Sequence, residues 1–108
     1  MQKQEHYIKS GYKILWTDNA LQELEATLNY LQEKWTLKEL KNLAVALEKT
    51  LQLIAQNPYI FQASVEKKEI RRAVVLHLNT LYYRISENRI EILSFFSNRQ
   101  SPKKRKLK

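Results

Sequence analysis

The fold of this chain is decided by residues 70–104, which read IRRAVVLHLNTLYYRISENRIEILSFFSNRQSPKK. The stretch contains three short segments rich in β-branched and aromatic residues, a composition typical of strands. They are predicted at Ile70–Leu78, Leu81–Ile85 and Ile90–Phe96. The first is almost continuously apolar after its two arginines, which predicts a central strand covered on both faces. Residues 86–89, SENR, predict a tight turn with Asn88 in the left-handed position.

Alternation within the later segments predicts which side chains share a face of the sheet. In the second segment, Tyr82 and Arg84 lie opposite the apolar residues. In the third, Ile90, Ile92 and Phe96 stand at even spacing, so they are predicted to share one face.

The first half of the chain predicts a strand followed by two helices. Residues 12–16, YKILW, are the strand candidate. Leucines at three- and four-residue steps predict a first helix over residues 20–34. Thr36 and Glu39 form a T-x-x-E capping box that opens a second helix, and residues 57–58, Asn-Pro, end it. Because the connection is so short, the helices are predicted to form an antiparallel hairpin.

Packing the helices on the sheet gives the predicted fold class. It is α+β: a strand, an antiparallel two-helix hairpin, then a three-stranded antiparallel meander, forming a small twisted sheet. The predicted apolar faces are Leu21, Leu24, Leu28 and Leu31 in the first helix, and Leu40, Ala44, Leu47, Leu51 and Ile54 in the second. The side chains expected to be largely buried are Leu24, Leu28, Leu47, Leu51, Val74, Leu76 and Ile92.

Length and charge suggest how the chain is organised. Its 108 residues have room for one core. We expect a flexible N-terminal extension over residues 1–11, a single domain over 12–98 and a basic tail over 99–108. The tail carries six cations and no acid, so the net charge of +8 falls to +2 without it. Such a tail can attract nucleic acid or an acidic protein, or it can be only a solvated end.

Composition also predicts the compartment. Cysteine is absent, which fits a reducing environment. No apolar run reaches the length of a membrane span, and the first residues lack the apolar core of a signal peptide. We therefore expect a cytoplasmic protein without membrane contacts.

Four segments, in their order and spacing, resemble the RelE/ParE family of bacterial type II toxins, known also as plasmid stabilisation proteins. They are YKILWTDNALQEL (12–24), LQLIAQNPYIF (51–61), IRRAVVLHLNTLYYRI (70–85) and EILSFFSNRQSPKK (91–104). The resemblance implies a small α+β toxin that is neutralised in a complex with a cognate antitoxin. It implies one of two activities: the RelE-like branch cleaves mRNA in the ribosome, and the ParE-like branch inhibits DNA gyrase.

The residues available for catalysis favour the ParE-like branch. Metal-free RNA cleavage needs groups that move protons and cations that bind phosphate. The candidates for a nuclease are Arg71, His77, Arg84 and Arg99, with Glu69, Tyr82 and Tyr83 weaker. An imidazole is a suitable proton carrier, but the place of His77 in an apolar strand predicts a partly buried structural residue. Nuclease members that the chain resembles usually carry a histidine or tyrosine at or beyond the closing strand, and none follows Tyr83 here. Arg99 stays protonated and makes a poor base.

We therefore expect a toxin that acts by binding its target rather than by turnover. The residues expected to contact the target or the antitoxin are Lys67, Lys68, Arg71, Arg72, Arg84 and Arg99. The expected partners are a cognate antitoxin and DNA gyrase, or the ribosome and mRNA in the RelE-like alternative, a metal-independent endoribonuclease. A second alternative is a basic nucleic-acid-binding or adaptor domain without toxicity. No cofactor is expected, and His6 and His77 give no metal-ligand spacing.

Overall fold

A computed structural model of the chain describes residues 11–34, 36–77 and 79–97. Its elements follow in the order β1 (Lys13–Trp16), α1 (Asp18–Lys34), α2 (Leu37–Gln56), β2 (Ile70–Val75), β3 (Asn79–Ser86) and β4 (Arg89–Ser97). This order confirms the predicted α+β class. The predicted basic tail and all but the last residue of the predicted N-terminal extension lie outside the described residues.

The four strands form one sheet in the order β1-β4-β3-β2. β2, β3 and β4 are the predicted antiparallel meander. β1 pairs with β4 in the parallel direction, so the sheet is mixed and β4 and β3 are its central strands.

The prediction that the first strand of the meander is central was wrong. β2 lies at the edge of the sheet and ends at Val75, three residues earlier than predicted. Leu76 and His77 instead form a turn with left-handed φ angles of 50° and 68°. The continuous apolar run does not reflect burial on both faces, because Val74 is 51% exposed on the outer face of the strand.

The turn between β3 and β4 also differs from the prediction. Ser86 pairs with Arg89, which leaves Glu87 and Asn88 as the two turn residues. Glu87, not Asn88, has the left-handed conformation, with φ of 58°. The turns that suit two-residue hairpins require a positive φ at their first position, and the register assigns that position to Glu87.

A β-bulge interrupts the alternation of β4. Tyr82 pairs with Ser94 and Tyr83 with Ile92, so Leu93 is an extra residue with no partner of its own in β3. A bulge shifts the side-chain alternation by one residue. Ile90 and Ile92 are therefore followed in the core by Phe95, and the predicted alignment of Phe96 with them was wrong.

The helix boundaries follow local capping. α1 begins at Asp18, two residues before the predicted start, and the Thr17 hydroxyl accepts a hydrogen bond from the Ala20 amide at 3.2 Å. The predicted capping box of α2 is confirmed. The Thr36 hydroxyl accepts from the Glu39 amide at 3.3 Å, and the Glu39 carboxylate accepts from the Thr36 amide at 3.1 Å. The helix ends at Gln56, with Asn57 as its cap.

The buried helix faces are rotated from the predicted ones. The buried residues of the helices are Ala20, Thr27 and Leu31 in α1 and Leu43, Thr50 and Ile54 in α2. Leu21 and Leu28 are 47% and 37% exposed, and Ala44 is exposed as well. In α1 the small residue Ala20 faces the sheet, because the large side chains of Tyr83 and Phe95 from the sheet fill the space between them. All three pack in one cluster.

Of the residues expected to be largely buried, Ile92 is confirmed. Four others are half-buried against the core, namely Leu24, Leu47, Leu51 and Leu76. Leu28 and Val74 were predicted wrongly, since both are exposed. Neither described helix combines the length and the hydrophobicity that crossing a membrane requires.

Candidate functional site

The two helices cover one face of the sheet, and no described element packs across the other. Strand residues on the covered face, such as Ala73, Leu81 and Ile90, are buried. We call the opposite surface the open face. It carries Lys13, Leu15, Arg72, Val74, Thr80, Tyr82, Arg84, Arg89, Glu91 and Phe96, which are exposed or half-buried. Cations are therefore mixed with apolar and aromatic side chains.

A groove lies between the open face and part of the connection between α2 and β2. The groove has a volume of about 680 Å³ and is lined by residues 62–67 and by Ile70, Arg72, Tyr82, Leu93 and Ser94. We call it the open-face groove. Its volume falls within the range of small-molecule binding sites.

The wall formed by the connection is held by backbone hydrogen bonds. The Arg72 amide donates to the Gln62 carbonyl at 3.1 Å, and the Ser64 amide donates to the Ile70 carbonyl at 2.6 Å. Ala63 thereby forms a bridge with Arg71. The Ser64 hydroxyl accepts from the Glu66 and Lys67 amides at 3.2 and 3.4 Å. The wall is therefore an isolated β-bridge followed by a turn, fixed on the edge of β2.

Two of the predicted binding residues line this groove. Arg72 is exposed, and within the described part of the chain its side chain has no hydrogen-bond or ion-pair partner. It lies directly opposite Tyr82 in the antiparallel pair of β2 and β3, where Cβ atoms are roughly 4.5–5.5 Å apart. Lys67 is exposed in the wall formed by the connection between α2 and β2. Lys68 is exposed in the same connection, outside the groove lining.

Arg84 is on the open face but is already paired. Its Nη2 and Nε atoms donate to Glu91 Oε1 at 2.6 and 3.0 Å. The arginine side chain is 48% exposed, so solvent screens this ion pair and its contribution to stability is small. The pair reduces the net charge of this part of the open face.

Arg71 lies on the opposite side of β2 and has a structural role. Its Nη1 atom donates to the Phe61 carbonyl at 2.6 Å, and its guanidinium carbon lies 5.0 Å from the centre of the Tyr59 ring. The nearby Tyr83 hydroxyl donates to the Pro58 carbonyl at 2.7 Å. Burial raises the pKa of Tyr83 from 10.0 to about 12, although the charge of Arg71 opposes the rise. Tyr83 therefore keeps its proton near neutral pH.

His77 is not the partly buried strand residue that was predicted. It is exposed in the turn between β2 and β3, because β2 ends at Val75, which pairs with Asn79 of β3. Arg84 pairs with Ile70 at the other end of the hairpin. At roughly 3.3 Å per residue, the two ends are roughly 20 Å apart. His77, Arg71 and Arg84, the main nuclease candidates within the described chain, are thus dispersed. Arg99 lies outside the described residues.

Sequence reasoning missed the side of the groove formed by residues 62–66, because this connection has no periodic pattern of apolar residues. It also missed Glu23, whose carboxylate accepts from the Phe95 amide at 2.9 Å and from the Ser94 hydroxyl at 2.7 Å. A glutamate on an amphipathic helix ordinarily faces solvent. In the part of the chain that the structure describes, no three His, Cys, Asp or Glu side chains are grouped to hold a metal ion.

Comparisons with known proteins agree with this fold. A chain of the chromosomal ParDE toxin–antitoxin system from P. aeruginosa superimposes with a TM-score of 0.66 and 14% sequence identity, over 80% of this chain and 95% of that one. At this identity the likeness concerns the fold alone. No curated protein gives a significant sequence match. The family model of the ParE toxin of type II toxin–antitoxin systems (parDE) matches residues 14–102. The chain therefore belongs to the ParE toxin family of type II toxin–antitoxin systems.

Proposed function

We propose that this ParE-family toxin acts by binding its target, as an inhibitor of DNA gyrase, and that a cognate antitoxin neutralises it. The observation that carries the proposal is the dispersal of His77, Arg71 and Arg84, the main nuclease candidates. Such a reaction needs its proton-transfer groups within hydrogen-bond reach of one phosphate. His77 and Arg84 lie at opposite ends of the β2–β3 hairpin, and Arg71 is bonded on the other face.

The open face supplies a surface for an anionic partner. Arg72 and Lys67 are exposed beside Tyr82, and Lys68 is close by in sequence. Arg84 could join them by exchanging Glu91 for an acidic group of the target, because the exposed ion pair is worth only ~0–1 kcal/mol. A target inside the cell would also place the toxin in the cytoplasm.

The antitoxin is proposed to use both the open face and the exposed side of the helical hairpin. An acidic segment that folds on binding would complement the cations of the open face. An amphipathic helix within it would cover Leu21 and Leu28, which α1 leaves partly exposed. Co-expression with the product of the neighbouring gene tests this pairing. The two proteins should co-purify at moderate salt, and failure to do so would contradict the proposal.

The target is tested by expressing the free toxin and by adding the purified protein to gyrase. We expect growth arrest with stalled DNA synthesis, intact mRNA and loss of DNA supercoiling by gyrase in vitro. Addition of the co-purified antitoxin should restore supercoiling, which is the control. Cleavage of mRNA on translating ribosomes, abolished by His77→Ala or Arg84→Ala, would instead establish the RelE-like alternative. Binding of nucleic acid without growth arrest would establish the adaptor alternative.

A further inference from the structure

The open-face groove has the features of a binding site for a small charged molecule. Its lining contains two cations, Arg72 and Lys67, and a single acid, Glu66. Within the described residues neither cation has a side-chain partner in an ion pair. A guanidinium presents several N–H donors in a planar fork that fits the oxygens of a phosphate. The charged part of the ligand is therefore an anion, and phosphate suits the donors best.

The rest of the lining suits a flat ring. The phenol of Tyr82 is next to Arg72 across the strand pair, and Ile70 and Leu93 add apolar surface. Aromatic side chains on an open sheet face bind unpaired bases by stacking. Gln62 and Ser64 carry amide and hydroxyl groups at the wall, which can hydrogen-bond to the edge of a base.

A peptide that binds as an added strand fits this groove less well. Extended peptides bind sheets mainly by adding a strand to a free edge. Beside the groove, the edge of β2 is already paired with the chain itself, through the bonds from the Arg72 amide to Gln62 and from the Ser64 amide to Ile70. A peptide would have to displace this segment before its own backbone could pair there.

We propose that the open-face groove binds a nucleoside phosphate, with the phosphate on Arg72 and Lys67 and the base stacked on Tyr82. The nucleoside phosphate can be a free nucleotide or one unit of a single-stranded nucleic acid. The proposal does not depend on gyrase inhibition, since it concerns binding by the purified protein.

The experiment measures binding of three probes to the full-length chain: AMP, inorganic phosphate and a ten-nucleotide oligothymidylate. Arg72→Gln should weaken binding of AMP or of the oligonucleotide by at least about tenfold. Tyr82→Leu, which keeps the apolar volume but removes the ring, should weaken it by about fivefold or more. The matched control is Arg89→Gln, which removes the same charge from the open face outside the groove and should change binding by less than about twofold.

Two results distinguish the source of the ligand, and both support the site. Arg72-dependent binding of AMP indicates a free nucleotide, whereas Arg72-dependent binding of the oligonucleotide alone indicates a nucleic-acid strand. The basic tail is present in all variants, so its contribution cancels in the comparison. Equal losses in Arg72→Gln and Arg89→Gln, or phosphate binding as tight as that of AMP, would overturn the proposal. Urea denaturation of Tyr82→Leu, with an unfolding midpoint close to that of the wild type, shows that its loss of binding reflects the missing ring and not misfolding.

Discussion

Tyr83 is a single side chain that ties the connection before β2 to the sheet. Its ring is fully buried in the core, and its hydroxyl donates to the Pro58 carbonyl at 2.7 Å. The same connection is held by Arg71, which donates to the Phe61 carbonyl. The position of the groove wall therefore depends on contacts made on the opposite side of the sheet.

Replacing Tyr83 by Phe should lower the free energy of unfolding by about 1–3 kcal/mol, because the buried Pro58 carbonyl loses its side-chain donor. Urea denaturation at neutral pH measures the effect. Tyr82→Phe is the control: Tyr82 is half-buried on the open face, and no hydrogen bond of its hydroxyl is found within the described residues. Equal losses in the two variants would contradict the role of the Tyr83 hydrogen bond.

The raised pKa of Tyr83 predicts a dependence of stability on alkaline pH. In the unfolded chain the phenol loses its proton near pH 10, whereas in the folded protein it keeps the proton until pH reaches about 12. The folded state binds more protons in this window, so stability should fall as pH rises from 10 to 12. The decline should be shallower in Tyr83→Phe, as measured by urea denaturation at several pH values. Parallel curves would contradict the pKa shift.

At the scale of elements, the bulge in β4 is stabilised by α1. β1 pairs with β4 only as far as Ile92. Beyond that point the Glu23 carboxylate accepts hydrogen bonds from the Phe95 backbone amide and the Ser94 hydroxyl. The side-chain amide of Asn19 donates to the Leu93 carbonyl at 3.0 Å. Side chains of the helix thus replace a neighbouring strand.

Glu23→Ala should lower the free energy of unfolding by about 1–3 kcal/mol, since the Phe95 amide and the Ser94 hydroxyl lose a charged acceptor. Glu25→Ala removes the same charge from an exposed site of the same helix and should have an effect below about 0.5 kcal/mol. Urea denaturation of the two variants makes the comparison. A larger effect at Glu25 would show that the bulge is held in another way.

The rotation of α1 can be tested with two leucines. Leu31 is fully buried, and its replacement by Ala should lower the free energy of unfolding by about 2–5 kcal/mol. Leu28 is 37% exposed, and the same replacement should have a clearly smaller effect, about 1 kcal/mol or less. Thermal or urea denaturation distinguishes them, and an equally large loss in the two variants would restore the predicted face, which contains both leucines.

At the scale of the whole molecule, most of the net positive charge lies in the last ten residues. Removing residues 99–108 takes away six cations and leaves a net charge of +2. If the toxin binds gyrase through its folded body, the shortened chain should still inhibit supercoiling, with a weaker dependence on salt. Supercoiling assays at two salt concentrations measure this. Complete loss of inhibition with an intact fold would show that the tail carries the activity.

The sequence by itself determined the features that depend on neighbouring residues. The capping box of Thr36 and Glu39 needs only a three-residue spacing, and the end of α2 just before Asn57 needs only the proline that follows. The order of strands and helices was likewise predictable, because each element has its own periodicity. The cations Lys67 and Arg72 could be named as binding residues, but not as two sides of one groove.

Only the tertiary structure decided the features that depend on pairing between distant segments. β1 pairs with β4, which places β2 at the edge and exposes Val74. The register of β2 with β3 puts His77 in a turn, and the extra residue in β4 moves Phe95 into the core in place of Phe96. Strand order and register are set by the total burial and hydrogen bonding of the whole sheet, which no local window of the sequence contains.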